Sequence, residues 1–170
     1  YENGFDILVD AFIILRKQAA FNDVKLVVTG GSTAADSRFI SGLKKRIESA
    51  GLLSWVDFHH EFEGAGRKDF FKKVALATVP VRNGEAFGMY LTEFMACGIP
   101  VIQPSLGAFP EIIALGGGGR HYLPNTPDQL AEEWMQVLSD SELMNRLSHQ
   151  ARRGVEEWFN IHVHAREMVA

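Results

Sequence analysis

The chain has 170 residues, 46% of them hydrophobic and 22% charged, with a formal net charge of -4. That length suits one domain with a continuous hydrophobic core, residues 1–170 forming a single unit, and the balance excludes both a disordered chain and the basic surface of a phosphate-backbone binder, so no nucleic-acid partner is expected. A single cysteine rules out an internal disulfide, and no apolar run approaches the roughly 18 residues of a membrane span.

Taken in chain order, Phe5, Leu8, Phe12 and Leu15 recur at helical spacing, which predicts a helix over residues 4 to 19. The run VKLVVTGG (Val24 to Gly31) reads as a strand closed by two glycines, and Ile40, Leu43 and Ile47 mark the next helix. The alternation continues with a strand at WVDF (Trp55 to Phe58), a helix around DFFKKVA (Asp69 to Ala75), a strand at LATVPV (Leu76 to Val81), a helix from Tyr90 to Cys97 and a strand at IPVIQ (Ile99 to Gln103). A short helix at FPEII and a strand at HYL (His121 to Leu123) complete it. Near-continuous apolar strands separated by helices predict an α/β fold, a Rossmann-like parallel sheet with helices on both faces. The rest is predicted helical: DQLAEEWMQVL, with Thr126 as N-cap, Pro127 at the first position and Gln129 completing a capping box, then SELMNRLSHQARR and VEEWFNIHVHAREMV.

Cys97 falls within an apolar helical pattern, so it is expected to be a small buried core residue, in a protein of the reducing cytoplasm. The opening YENGFDILVDAF has no signal core and begins, on Tyr1, in the approach to a helix, so the chain reads as a piece of a longer polypeptide.

Gly30 and Gly31 end a strand before a helix, where an α/β sheet brings backbone close to a ligand; a tight turn explains them equally well. Their spacing is neither a dinucleotide fingerprint nor a phosphate-loop motif. Gly116 to Gly119 read as a flexible turn between a helix and a strand.

The stretch NGEAFGMYLTEFMACGIPVI, Asn83 to Ile102, places acids at Glu85 and Glu93. On one continuous helix they would stand ~12 Å apart along the axis and ~80° around it, too far to share a proton. The Asn-Gly and Phe-Gly steps instead put Glu85 in a loop, with a helix starting near Met89 and Glu93 in its early turns. Between the acids lies a helix N-terminus, whose unpaired N–H groups and partial positive charge suit a phosphate. Ionised carboxylates accept hydrogen bonds, so Glu93 suits a ribose diol and Glu85 the hydroxyls of a sugar. A nucleotide-diphosphate sugar has those three parts in that order. The alternative is an ordinary loop acid and an acid placed by the helix dipole. A glycosidase pair must flank one bond, which these do not. His59, His60 and Glu61, or His162 and His164, point apart on a strand or a helix and make no mononuclear metal site.

These residues resemble the retaining glycosyltransferases of family 4 (group 1), which have the GT-B fold. EAFGMYLTE matches the E-x7-E motif of that family with its central Phe-Gly, and FMACGIPVIQPSLGAFPEII is similar to its E-A-M-A-x-G-x-P-V-[IV] and G-G-x-P-E-[IV]-[IV] segments. NGFDILVDAF, KLVVTGG, VDFHHEF and LPNTPDQLAEEW extend the resemblance over nearly the whole chain. It implies the C-terminal, donor-binding half of a GT-B enzyme, ending in C-terminal helices. The acceptor would be bound mainly by an N-terminal domain outside this chain, so the fragment alone is expected to be inactive. Carried over, Glu85 is the catalytic acid holding donor-sugar hydroxyls, and Phe87 and Gly88 present backbone to sugar and diphosphate. Met89, Tyr90 and Leu91 supply N–H groups, Glu93 holds the ribose, and Gly30 and Gly31 line the nucleotide side, with the base near His59 to Phe62. The expected partner is a nucleotide sugar such as a UDP- or GDP-sugar; no cofactor and no metal are expected, and the full-length protein is expected to be cytoplasmic or peripheral at the inner membrane.

Two departures carry expectations of their own. The family's Lys before Gly4 is Asn3 here, so either the diphosphate is bound more weakly, or the domain lacks transfer activity, or another cation substitutes. Arg67 and Lys68 are the candidate cations, although Lys72 and Lys73 on the same helix mark a solvated basic face. A glycine usual near His59 or His60 is absent, and the family's central strand would precede residue 1.

Overall fold

In the computed structural model, residues 2–31, 33–59 and 64–161 are described. Helix α1 (Phe5–Arg16) comes first, followed by strand β1 (Leu26–Thr29), helix α2 (Ser37–Ser49) and strand β2 (Val56–His59). Helices α3 (Gly64–Lys73) and α4 (Met89–Ala96) precede strand β3 (Val101–Pro104), helix α5 (Phe109–Gly116) and strand β4 (Gly119–Tyr122). Helices α6 (Pro127–Ser139) and α7 (Ser141–Trp158) close the order.

The strands pair in parallel in two two-stranded sheets, β1 with β2 and β3 with β4, each pair joined by a crossover through a helix. Successive side chains of a strand point to opposite faces, and β3 displays this directly. Val101 packs among residues of α4, α5 and α7, whereas Ile102 packs with α1 and α6. Both are fully buried, so the β3–β4 sheet is covered on each face at β3.

The segment predicted as a strand over Leu76 to Val81 shrinks to one bridge. Ala77 donates to the Pro100 carbonyl at 2.9 Å and accepts from the Ile102 amide at 2.9 Å. Beyond it most of the partners are side chains, although the Val81 amide donates to the Val79 carbonyl at 2.8 Å. The Trp134 indole donates to Thr78 Oγ1 at 2.9 Å, the Val79 amide donates to Gln103 Oε1 at 3.2 Å, and the Asn125 amide donates to the Val81 carbonyl at 2.9 Å. Pro80 has no N–H to give, which interrupts the ladder where the prediction continued it.

Other boundaries move for identifiable reasons. Strand β4 begins two residues before His121 because Gly119 lets the chain lie against Val101: a Cβ there would stand 2.5 Å from the Val101 carbonyl oxygen. The expected flexible turn at Gly116 to Gly119 is instead a packing seam. A Cβ on Gly118 would meet Ala151 Cα at 2.1 Å, and one on Gly154 would meet the Gly116 carbonyl oxygen at 2.1 Å. The two helices predicted around Gly154 are thus one, α7, crossing α5 at that glycine; residues 162–170 of the second prediction lie outside the described residues. Thr126 does cap α6, accepting from the Gln129 amide, but the Gln129 side chain turns to Glu132 at 3.3 Å, so only half of the capping box forms. Cys97 is exposed, contrary to expectation. The buried stripe of α4 is Leu91 and Met95, and Cys97 lies past the helix end, two residues out of phase with it.

The seam gives a signed prediction. Gly154→Val places side-chain atoms where backbone already stands, and thermal unfolding should register a loss of roughly 2–3 kcal/mol, about 5–10 °C in Tm for a domain of this size. Gly42→Ala, on an α2 face with no atom near its added Cβ, should instead gain roughly 0.5–1 kcal/mol.

Candidate functional site

The loop between Ala77 and α4 reaches the carboxyl ends of the strands, where an α/β sheet places ligands. Its entry is fixed to the start of α1: the Arg82 amide donates to the Glu2 carbonyl at 3.0 Å, the Arg82 guanidinium pairs with Asp6, and Asn83 Nδ2 donates to Glu2 Oε2 at 2.6 Å. Its middle lies against the turn after β3. The Ala108 amide donates to the Glu85 carbonyl at 3.0 Å, and a Cβ on Gly107 would stand only 2.3 Å from that oxygen. Gly107 also has φ 56, so a side chain is excluded by both conformation and space.

Glu85 is half-buried in this loop, as expected from the Asn-Gly step. Its charge and, more strongly, burial push the Tyr90 phenol well above its ordinary pKa. The Tyr90 hydroxyl is buried without a hydrogen-bond partner among the described residues.

Helix α4 starts at Met89, where the Phe-Gly step placed it, with Gly88 as its N-cap in the left-handed region (φ 74). No side chain caps it. The Leu91 amide already donates to the Gly88 carbonyl at 2.9 Å, which leaves the Met89 and Tyr90 amides as the donors of the first turn without an intrahelical acceptor. Gly88 is buried, while Phe87 and Met89 beside it are exposed. The Phe87 ring meets Phe159 edge-on at 6.1 Å between centroids.

One turn further along α4, Glu93 is half-buried and receives Arg67 Nη2 at 2.6 Å. Arg67 therefore pairs with the second acid while staying partly exposed, which corrects the expectation of a freely solvated basic face for that residue. Its neighbours on α3 do pair outward, Lys72 with Asp69 and Lys73 with Asp57. The signal available in the sequence was Phe70 and Phe71, three and four residues after Arg67 and on the same helix face. Those rings pack on Phe94 of α4 at 6.1 and 5.3 Å, carrying Arg67 to Glu93. Arg82 was missed because its partner Asp6 is distant in sequence.

Gly30 and Gly31 follow β1 at its carboxyl end, exposed, with no atom of the non-adjacent described residues within 4 Å of where a Cβ would be on either. His59 lies against Phe70 with ring centroids 5.6 Å apart, its Nε2 3.3 Å from the Gly66 carbonyl oxygen. His60, Glu61 and Phe62, and His162 and His164, lie outside the described residues. No described helix is long and apolar enough to cross a membrane.

Residues 1–154 match the family described as glycosyl transferases group 1. The chain belongs to that family. It is similar to the D-inositol 3-phosphate glycosyltransferase of Jonesia denitrificans, 27% identical over 155 residues that cover 91% of this chain and 36% of the relative. It is also similar to the lipopolysaccharide core biosynthesis mannosyltransferase LpsB of Rhizobium meliloti, 33% identical over 116 residues covering 68% of this chain and 32% of that protein. The chain thus spans about a third of the length of these two relatives. Among solved structures, it superposes on the C-terminal domain of the group 1 glycosyl transferase LpcC from Francisella tularensis with TM-score 0.82 at 25% identity, covering 94% of this chain and 81% of that one. The Anabaena HepE structure in complex with UDP gives TM-score 0.85 at 20% identity, covering 99% of this chain and 44% of that one. The group 1 fold is therefore the C-terminal α/β half of a GT-B glycosyltransferase.

Tyr90 and Gly107 carry measurable consequences. A phenol whose folded pKa is raised holds its proton after the unfolded chain has lost it, so stability falls as pH rises above about 10; Tyr90→Phe should flatten that slope and, by removing a buried unpartnered hydroxyl, raise stability by about 1 kcal/mol in denaturant titrations. Gly107→Ala should cost roughly 2 kcal/mol and displace the Glu85 loop.

Proposed function

We propose that the chain is the donor-binding half of a retaining glycosyltransferase that transfers a sugar from a nucleotide-diphosphate sugar. The observation that carries the reading is the glycine-capped N-terminus of α4 standing between two half-buried carboxylates, in a chain of the group 1 family. In this reading the Met89 and Tyr90 amides, with Leu91 completing the turn, receive the diphosphate, for which a helix N-terminus offers donors and partial positive charge. Glu85 takes the sugar hydroxyls and Glu93 the ribose hydroxyls, each as an acceptor. Phe87 and Gly88 bring backbone to the sugar and diphosphate, and Gly30 and Gly31 line the nucleotide side. HepE, which shares the fold, has been crystallised with UDP and with UDP-glucose, which supports a uridine nucleotide as the first ligand to try.

The chemistry is substitution at the anomeric carbon with retention of configuration. The bond from the anomeric carbon to the diphosphate oxygen breaks, its electron pair stays on the diphosphate, and the acceptor hydroxyl oxygen takes its place, its proton passing to the departing diphosphate. Negative charge grows on the leaving oxygen, and preorganised amides at the helix start lower the barrier most where that charge develops. Glu85 orients the sugar above them. The acceptor is bound mainly by another domain of the full-length protein, which we place in the cytoplasm or at the inner face of a membrane. Asn3, at the family's Lys position, favours a second reading, a nucleotide-sugar-binding domain without transfer activity.

Calorimetric titration with UDP, GDP and ADP, and with the corresponding sugar nucleotides, tests the assignment. One nucleotide should bind, and Glu85→Ala should weaken its sugar-bearing form by roughly tenfold or more while leaving the bare diphosphate nearly unaffected. Equal weakening of both ligands would remove Glu85 from the sugar subsite. Binding of a sugar nucleotide by the full-length protein without turnover would select the second reading.

A further inference from the structure

Arg67 is in direct contact with one acid of the site, Glu93, and its placement is specified by packing. Phe70 and Phe71 of α3 pack on Phe94, the residue after Glu93, and Arg67 stands on their face of the helix. Its guanidinium carbon also lies 5.7 Å from the Phe71 ring centroid, a cation–π contact that narrows where the fork can point. From there Nη2 reaches Glu93 Oε1 at 2.6 Å. Both side chains are half-buried, 41% and 36% exposed, and an ion pair with that much access to water adds little to stability. Its consequence is instead orientational. A glutamate on a helix surface has three rotatable bonds, and a ligand that needs its carboxylate in one plane must otherwise order them on binding. A carboxylate oxygen has two lone pairs, so Oε1 held by Arg67, together with Oε2, still offers acceptors to a diol.

We propose that Arg67 is the positioning residue for Glu93, fixing the plane of its carboxylate for a ribose diol and so setting the preference for ribonucleotide over 2′-deoxyribonucleotide ligands. The inference rests on the donor-site reading and deepens it by naming what makes Glu93 selective. Arg67 need not touch the ligand. Its effect is to order the acceptor before the ligand arrives, which is the preorganisation that strengthens a hydrogen bond to a charged group.

The test is a calorimetric comparison of whichever of UDP, GDP and ADP binds tightest with its 2′-deoxy analogue, on the unsubstituted protein and on Arg67→Ala, Arg67→Lys and Glu93→Ala, with circular dichroism to verify the fold. The unsubstituted protein should prefer the ribonucleotide by roughly tenfold or more. Arg67→Ala should cut that preference by roughly threefold or more, the coupling expected of two side chains in contact, mainly by weakening the ribonucleotide. Arg67→Lys keeps the charge without the planar fork and should restore part of it. Equal weakening of both nucleotides by Arg67→Ala would mean a phosphate contact and would overturn the proposal, as would an unchanged preference or tighter ribonucleotide binding. Glu93→Ala separates the two levels: if it leaves the preference intact, the ribose role of Glu93 fails with the inference, whereas if it abolishes the preference and Arg67→Ala does not reduce it, only the inference fails. No binding of any of the three nucleotides by the unsubstituted protein would overturn both.

Discussion

A backbone group taken out of water must find a partner, and from Ala77 to Arg82 the chain meets that requirement almost residue by residue with groups from different elements. Ala77 bonds to the backbone on either side of Val101, Val79 donates to the buried Gln103 of β3, and the Pro80 and Val81 carbonyls accept from Asn125, while the Thr78 hydroxyl accepts the Trp134 indole of α6. Arg82 then joins the start of α1 through its amide and its guanidinium. This chain of contacts delivers Asn83, Gly84 and Glu85 to the carboxyl end of the sheet. Because side chains hold it, the loop can change direction at Pro80 without leaving the core, which a ladder of strand bonds would not permit.

From that anchoring follows the geometry of the site. Gly107 allows the turn after β3 to touch the Glu85 backbone, and Gly88 lets α4 begin at once beneath it. Glycine at an N-cap costs only a few tenths of a kcal/mol relative to a capping side chain, so the fold tolerates an uncapped helix end at small cost and leaves its donors outward. An acid at each flank would repel a lone phosphate, but it gives acceptors to the hydroxyls on either side of one. The arrangement therefore discriminates among anions: a free phosphate meets two like charges, whereas a diphosphate bearing a ribose and a sugar meets complementary groups throughout.

Much of this was legible in the sequence. Helical spacing of Phe5 to Leu15, the β-branched run ending at Gly30 and the Phe-Gly step before Met89 each state a local rule, and α1, β1 and α4 obey it within a few residues. What escaped was set by contacts between distant residues. The strand pattern at Leu76 to Val81 could not foresee that Gln103 and Trp134 would take its hydrogen bonds, and Gly116 to Gly119 looked loose because the Ala151 and Gly154 surfaces that press on them are over thirty residues away. Likewise the charge run on α3 concealed Arg67. Charge pattern reports which residues are solvated on an isolated helix; which of them is swung onto a neighbour depends on where Phe70 and Phe71 dock.

The central claim is that the first turn of α4 receives a nucleoside diphosphate between Glu85 and Glu93. Backbone amide chemical shifts, followed by NMR as UDP, GDP or ADP is added, test it most directly. The account predicts that for the nucleotide that binds, the largest shifts fall on Gly88, Met89 and Tyr90, with smaller ones at Glu85 and Glu93. Saturable binding that leaves those amides unmoved and perturbs another surface would contradict it.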